Sequence, residues 1–219
     1  MRTDRLALLG AVAVTSLAVI VAAMHIIQPG LSPVDHLISE YAYGRLGWLL
    51  TSGYVLAGSG TLLLASQLPA RSGTGRRSLA SGGCLALVGV GLIATGLTRI
   101  DVARVDGAVI STVSGQIHEL AGYVAVLGLI AAAFVLSATI RRERQRSSGR
   151  WSAFRLYRWA LPASVAALVI ARPLGGSGLG QRAFLALALS WLIYVGIELS
   201  RGDAPAMQTT PGRMGDRHR

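Results

Sequence analysis

The sequence predicts an all-α integral membrane six-helix bundle with a short amphipathic helix in the first outer link. Three observations carry this expectation. The 219 residues are 52% hydrophobic and only 14% charged, too apolar for an ordinary soluble domain and too short for two membrane domains. Six apolar runs follow one another along the chain, charged only by Glu119 at the head of the fourth. The 21 basic residues are all arginine and fall mostly in the short segments between those runs, which is a topology signal.

The transmembrane domain covers 1–199, with spans expected at about 6–27, 46–68, 79–97, 117–140, 159–171 and 183–197. The first run is longer than the apolar region of a signal peptide, which favours an uncleaved helix. The second opens on Trp48 and Tyr54, aromatics suited to a membrane interface. Pro69 to Ser78, with Arg71, Arg76 and Arg77, reads as a basic turn. Glycines 82, 83, 89, 91 and 96 in the third span suit close helix approach. The fourth begins near Ile117 with His118 and Glu119 at its head. Between Arg141 and Arg158 seven arginines face one glutamate, and the second half of that link, with Trp151, Phe154, Leu156 and Tyr157, suits the membrane surface. The fifth span is short. Gly175, Gly176, Gly178 and Gly180 resemble a nucleotide-binding GxGxxG, but no strand of a βαβ unit precedes them, so the stretch reads as a turn. Residues 200–219 read as a disordered cytoplasmic tail.

Placing the N-terminus in the cytoplasm puts 16 arginines inside and five outside, so both termini are expected on the cytoplasmic side of the membrane. The net charge of +11 then reflects topology. No basic stripe interleaved with aromatics lies on a foldable soluble segment, which argues against nucleic acid as a partner. Cys84 is the single cysteine, so no disulfide framework or zinc knuckle forms within one chain. The expected partners are the lipid bilayer and an apolar small molecule; the oligomeric state is open.

The same topology gathers the reactive residues. Asp35, Glu40, Asp101, Asp106 and Glu119 all fall on outer links or outer helix ends, with His25, His36 and His118. Ser32 suits a helix N-cap, Pro33 the first helical position and Asp35 the first turn. On the helix that follows, Val34, Leu37, Ile38 and Tyr41 form an apolar face, and His36, Glu40 and Tyr43 line up on another. On the fourth helix Ser111, Ser114 and His118 share a face, and Gln116, Glu119 and Tyr123 the adjacent one. Ionisable groups at a bilayer boundary are costly unless paired, which makes such a gathering a functional-site hypothesis. Glu40, Asp101, His118 and Glu119 are the catalytic candidates, and Asp35, His36, Ser39, Tyr43, Ser114 and Gln116 the substrate-binding ones. Bland readings stand beside these: Asp35 completes a helix start, and Asp101 and Asp106 pair with Arg99 and Arg104 in a solvated link.

His118-Glu119 begins like the HExxH zinc helix, but position 122 is glycine, so the second ligand is missing. A metal site from His25, His36 and His118 with a carboxylate stays open on ligand type alone; the favoured reading uses no metal and no cofactor. For nucleophilic catalysis, Ser39 or Ser114 needs a base within hydrogen-bond reach.

Ser-Glu-Tyr-Ala-Tyr-Gly (Ser39 to Gly44) before the second span and Thr-Val-Ser-Gly-Gln-Ile-His (Thr112 to His118) at the fourth resemble the bacterial six-helix membrane family numbered 998 among domains of unknown function. The resemblance covers most of residues 6 to 199. That family usually carries a Phe-Pro-x-Asp-like segment before its Thr-x-x-Gly-x-x-His motif; Arg99-Ile100-Asp101 keeps the acid without the Phe-Pro. The resemblance implies a fold and a polar cluster, and no reaction.

The function expected from these residues is a membrane enzyme acting on a lipid or isoprenoid chain by metal-free acid-base chemistry, as in protonation-initiated terpene cyclisation or isomerisation. The alternative is a proton-coupled carrier or ligand sensor built on the same cluster. The spans lack an acid at mid-membrane depth, which tilts the reading toward the enzyme.

Overall fold

A computed structural model describes residues 2–72, 76–102, 110–143, 150–171 and 176–201. Residues 202–219 of the expected tail and Asp106 lie outside the described residues. Six helices are long and apolar enough to cross a bilayer: α1 (Arg2–Ile27), α2 (Gly47–Ser72), α3 (Arg76–Leu97), α4 (Val113–Glu143), α5 (Arg150–Ala171) and α6 (Ser177–Ser200). Each packs against its neighbours in sequence and α6 closes onto α1, so the helices form a ring in chain order. The chain is therefore a multi-pass membrane bundle in a lipid bilayer. The end where α1, α3 and α5 finish and α2, α4 and α6 begin carries the polar residues of interest and is called the site end.

Three boundaries differ from the sequence expectation. Helix α2 runs through Pro69 to Ser72, where a basic turn was expected. Helix α5 starts at Arg150 rather than 159, giving 22 residues in place of a short span. It admits Arg158 because the guanidinium lies over the rings of Phe134 and Trp159, at 5.3 and 5.0 Å, so an aromatic face receives the charge. Helix α6 starts at Ser177 rather than 183, and Gly178 and Gly180 are helical residues rather than part of a link.

Lipid tails are as apolar as leucine, so helices in a bilayer associate through close packing of small residues rather than by escaping water. Gly10 and Gly60 meet where α1 crosses α2: a Cβ on Gly60 would sit 2.6 Å from the Gly10 carbonyl oxygen. Gly58 and Gly89 do the same for α2 and α3. Of the five α3 glycines, Gly82, Gly89 and Gly96 face α2 and Gly91 faces α4, whereas Gly83 faces open space. The close-approach reading thus fails at Gly83. Trp191, Leu17, Met24 and Leu64 fill the interior, while Trp159, Val169 and Ile170 leave one face of α5 exposed to lipid.

The first link departs from the expected α-helix. Ser32 does accept from the backbone N–H groups of Val34 and Asp35, at 3.3 and 3.4 Å, but the turn ends after one cycle. A six-residue 3₁₀ helix, Ile38–Tyr43, follows. The Glu40 carboxylate caps it by accepting from the Leu37 N–H at 2.8 Å. Three residues per turn place 38, 39 and 41 inward, and Ile38, Ser39 and Tyr41 are buried. The expected His36, Glu40, Tyr43 face does not form. Leu46 at φ 58° then turns the chain tightly into α2.

Gly60→Ala and Gly83→Ala separate packing from propensity. The first should cost about 1–3 kcal/mol by overpacking and lower the thermal midpoint of the purified protein. The second should leave the midpoint unchanged or raise it, since alanine is the better helix former. Equal shifts would contradict the close α1–α2 crossing.

Candidate functional site

The 3₁₀ helix is held from both sides. Gln28, just past α1, donates from Nε2 to the carbonyls of Tyr41 and Arg45, at 2.9 and 2.8 Å. The first turns of α6 supply the opposite wall: the Leu179 N–H donates to Val34 O at 3.1 Å, the Ser177 hydroxyl to Asp35 O at 3.2 Å, and Gln181 Oε1 accepts from the Ile38 N–H at 2.6 Å. Gly178 has no room for a side chain, because a Cβ there would collide with the carbonyls of Val34 and His36. Gly178 thus lets the loop lie against a helix start.

Ser39 projects toward α2 and α4. His118, one of the few buried polar side chains at 7% exposure, donates from Nδ1 to the Thr98 carbonyl at 3.2 Å. That assignment leaves Nε2 to accept from the Ser39 hydroxyl at 3.1 Å, as the other nitrogen's bond sets the tautomer. The result is a chain from Ser39 through His118 to the Thr98 carbonyl.

The Thr-x-x-Gly-x-x-His motif explains how His118 is placed. Thr112 caps α4, its Oγ1 accepting from the Gly115 N–H at 3.0 Å. The Asp101 carboxylate accepts from the Thr112 N–H at 2.9 Å and the Thr112 hydroxyl at 2.7 Å. It occupies the space a Gly115 side chain would need. His118, one turn further on, turns inward. The two Thr112 bonds hold the Asp101 carboxyl below the usual carboxylate range. Asp101 is therefore an ionised cap rather than a proton donor.

Tyr41 projects the other way, toward α1 and α6, and is fully buried. Its hydroxyl accepts from Arg182 Nη2 at 3.2 Å, and its ring lies 5.3 Å from that of His25. Arg182 also donates from Nε to His25 Nε2 at 2.8 Å and from Nη1 to the His36 and Gly178 carbonyls, at 2.7 and 2.9 Å. His25 donates from Nδ1 to Val21 O at 2.7 Å. Below this group a cleft of about 470 Å³ opens between α1 and α6, lined by Ala18, Ala22, His25, Arg182, Ala186 and Leu189 among others. Its size suits a small-molecule site.

The remaining candidates are dispersed. Glu119 is exposed. Gln116 donates to Ser111 at 3.0 Å, and Ser114 accepts from the Arg99 N–H at 3.0 Å. Tyr43, half exposed, donates to the Ile100 carbonyl and lies under Arg99. The Asp35 carboxylate accepts from Ser32 at 2.6 Å. His36 keeps a buried Nδ1 without a partner among the described residues. No three His, Cys, Asp or Glu among the described residues gather as metal ligands, so His25, His36 and His118 do not assemble a centre there. Sequence reasoning missed Arg182, an arginine inside a span, which was counted only for topology.

A family model described as "Protein of unknown function (DUF998)" matches residues 11–198. No curated protein and no solved structure matches the chain.

Acidification tests the Asp101 cap. A lowered folded pKa means the stabilisation is full above the ordinary carboxylate range, near about 3.9 for Asp, and is lost as the pH falls through the folded value. Amide protection at Thr112 and Gly115, corrected for intrinsic exchange, should drop in acid for the wild type and be low at every pH for Asp101→Ala. Parallel profiles in the two proteins would refute the cap.

Proposed function

The chain belongs to the DUF998 family, and we propose that it takes the apolar chain of a lipid or isoprenoid from the bilayer into the α1–α6 cleft. The cleft carries this reading. Its walls are apolar side chains of two spans, with polar groups only at the His25 and Arg182 edge, the usual composition of a site for an amphiphilic small molecule. It opens between helices, so a chain reaches it from the membrane without crossing water. The arginine excess at the opposite end of the bundle supports a site end that faces outward, with both termini in the cytoplasm of a bacterial cell.

A catalytic role draws on the Ser39–His118 pair. Ile38 lines the cleft, and Ser39, the next residue of the same 3₁₀ helix, donates to His118 Nε2. That is the hydrogen bond a base needs to take up a hydroxyl proton. Metal-free acid-base chemistry would then rest on His118 and Ser39, which lie on the α2 and α4 side of the 3₁₀ helix, so a chain in the cleft reaches them only when that helix is displaced. The carboxyl candidates are less suited: Glu40 caps the 3₁₀ helix, Asp101 is held ionised, and Glu119 is exposed. A proton-coupled carrier gains no comparable support, since the spans hold no carboxylate at mid-depth.

Mass spectrometry of lipids retained by the purified protein tests this reading. The wild type should retain a chain-bearing species enriched over bulk membrane. Ala186→Trp, which fills the cleft mouth, should lower that enrichment about tenfold, equivalent to about 1.4 kcal/mol. His118→Gln should leave retention intact and abolish any converted product. Bulk-like lipid in both wild type and Ala186→Trp would sink the proposal.

A further inference from the structure

Arg182 sits inside a membrane-spanning helix and is surrounded by neutral acceptors. A guanidinium has five N–H groups, and four of those on Arg182 are engaged, by His25, the two carbonyls and the Tyr41 hydroxyl. The fifth, on Nη2, has no hydrogen-bond partner among the described residues. Among the described residues no carboxylate lies within ion-pair distance of this side chain; the ion pair found there joins Arg201 to Glu198. His25 does not neutralise it either, since its Nε2 only accepts. The Tyr41 ring faces the guanidinium at 5.7 Å, but among the described residues no counter-charge meets it, so a positive charge stands at the edge of an apolar cleft, in surroundings where unpaired charge is costly.

The cleft supplies little discrimination by itself. Moving an alkyl chain from lipid to apolar protein exchanges one hydrocarbon environment for another, so selection falls to the polar end of the ligand. The geometry sets that end beside Arg182. From the His25 and Arg182 edge, the lining residues descend α1 through Ala22 to Ala18 and α6 through Ala186 to Leu189. This is a run of eight residues on each helix, whose seven rises span roughly 10 Å at about 1.5 Å each.

We infer that the cleft selects a single-chain amphiphile with an anionic oxygen head, carboxylate or phosphate, whose charge is held by Arg182 while its chain lies between α1 and α6. This rests on the proposed chain-binding function and adds the head-group class. One free N–H provides a single charge-assisted bond, stronger than a neutral one, rather than a bidentate fork. An alcohol or ester head on the same chain gains no ionic contact.

The test uses the full chain in phosphatidylcholine nanodiscs at alkaline pH, with labelled oleate, oleyl phosphate and oleyl alcohol as probes and Ala186→Trp as background. The two anions should bind about tenfold or more tighter than the alcohol, a ratio that reports the ionic contact. Arg182→Gln should reduce the preference to below about twofold, the remainder expected without the charge, while alcohol binding persists. Arg182→Lys should retain most of it. Where Arg182→Gln does not fold, the wild-type ratio and the lysine variant decide. Equal binding of all three probes by the wild type overturns the head-group inference and leaves chain binding standing. Absence of any binding above Ala186→Trp removes chain binding itself. A preference that survives Arg182→Gln overturns the assignment to Arg182. Inorganic phosphate at matched concentration should not displace oleate; displacement would make the site one for a free anion.

Discussion

The Arg182 guanidinium ties together the end of the bundle on which everything else depends. Non-helical backbone at a membrane boundary is tolerated only where its polar groups find partners within the protein. Residues 28–46 are such a segment. Arg182 reaches α1 through His25, the turn through the His36 carbonyl, the 3₁₀ helix through Tyr41 and its own helix through Gly178. Gln28, Glu40 and Gln181 complete the set. With these bonds in place, a short 3₁₀ helix lies buried where an amphipathic surface helix was expected.

That wedge separates two polar groups that seemed to be one. Three residues per turn send Ser39 to His118 on the α2 and α4 side, and Tyr41 to Arg182 and His25 on the α1 and α6 side. Ile38 faces the cleft. A displacement of this helix by a ligand in the cleft would therefore be felt at the Ser39–His118 hydrogen bond. The two sides communicate through six residues of backbone rather than through a shared cavity.

The six spans and the polar end were legible in the sequence because hydropathy and link composition act over whole helices. Ser39, Asp101 and His118 were legible too, through the Ser-Glu-Tyr and Thr-x-x-Gly-x-x-His segments, though their division of labour was not. Spacing along one helix cannot reveal that Asp101 fills the space left by Gly115, because that is a contact between separate pieces of chain. Arg182 escaped because an arginine six residues into a helix looks like link charge when the span is started at 183. The helix-start pattern at Ser32 was real as a single turn, and failed beyond it because Gln181 of α6 takes the Ile38 N–H.

The most direct measurement is photocrosslinking of a bilayer-borne alkyl chain carrying a diazirine at mid-length, followed by mass mapping of the adducts. Adducts concentrated on Ala18, Ala22, Leu185 and Leu189, and lost in Ala186→Trp, are the predicted result. Adducts spread over the lipid-exposed faces, Trp159 and Val169 of α5 included, with no excess between α1 and α6, would contradict the account.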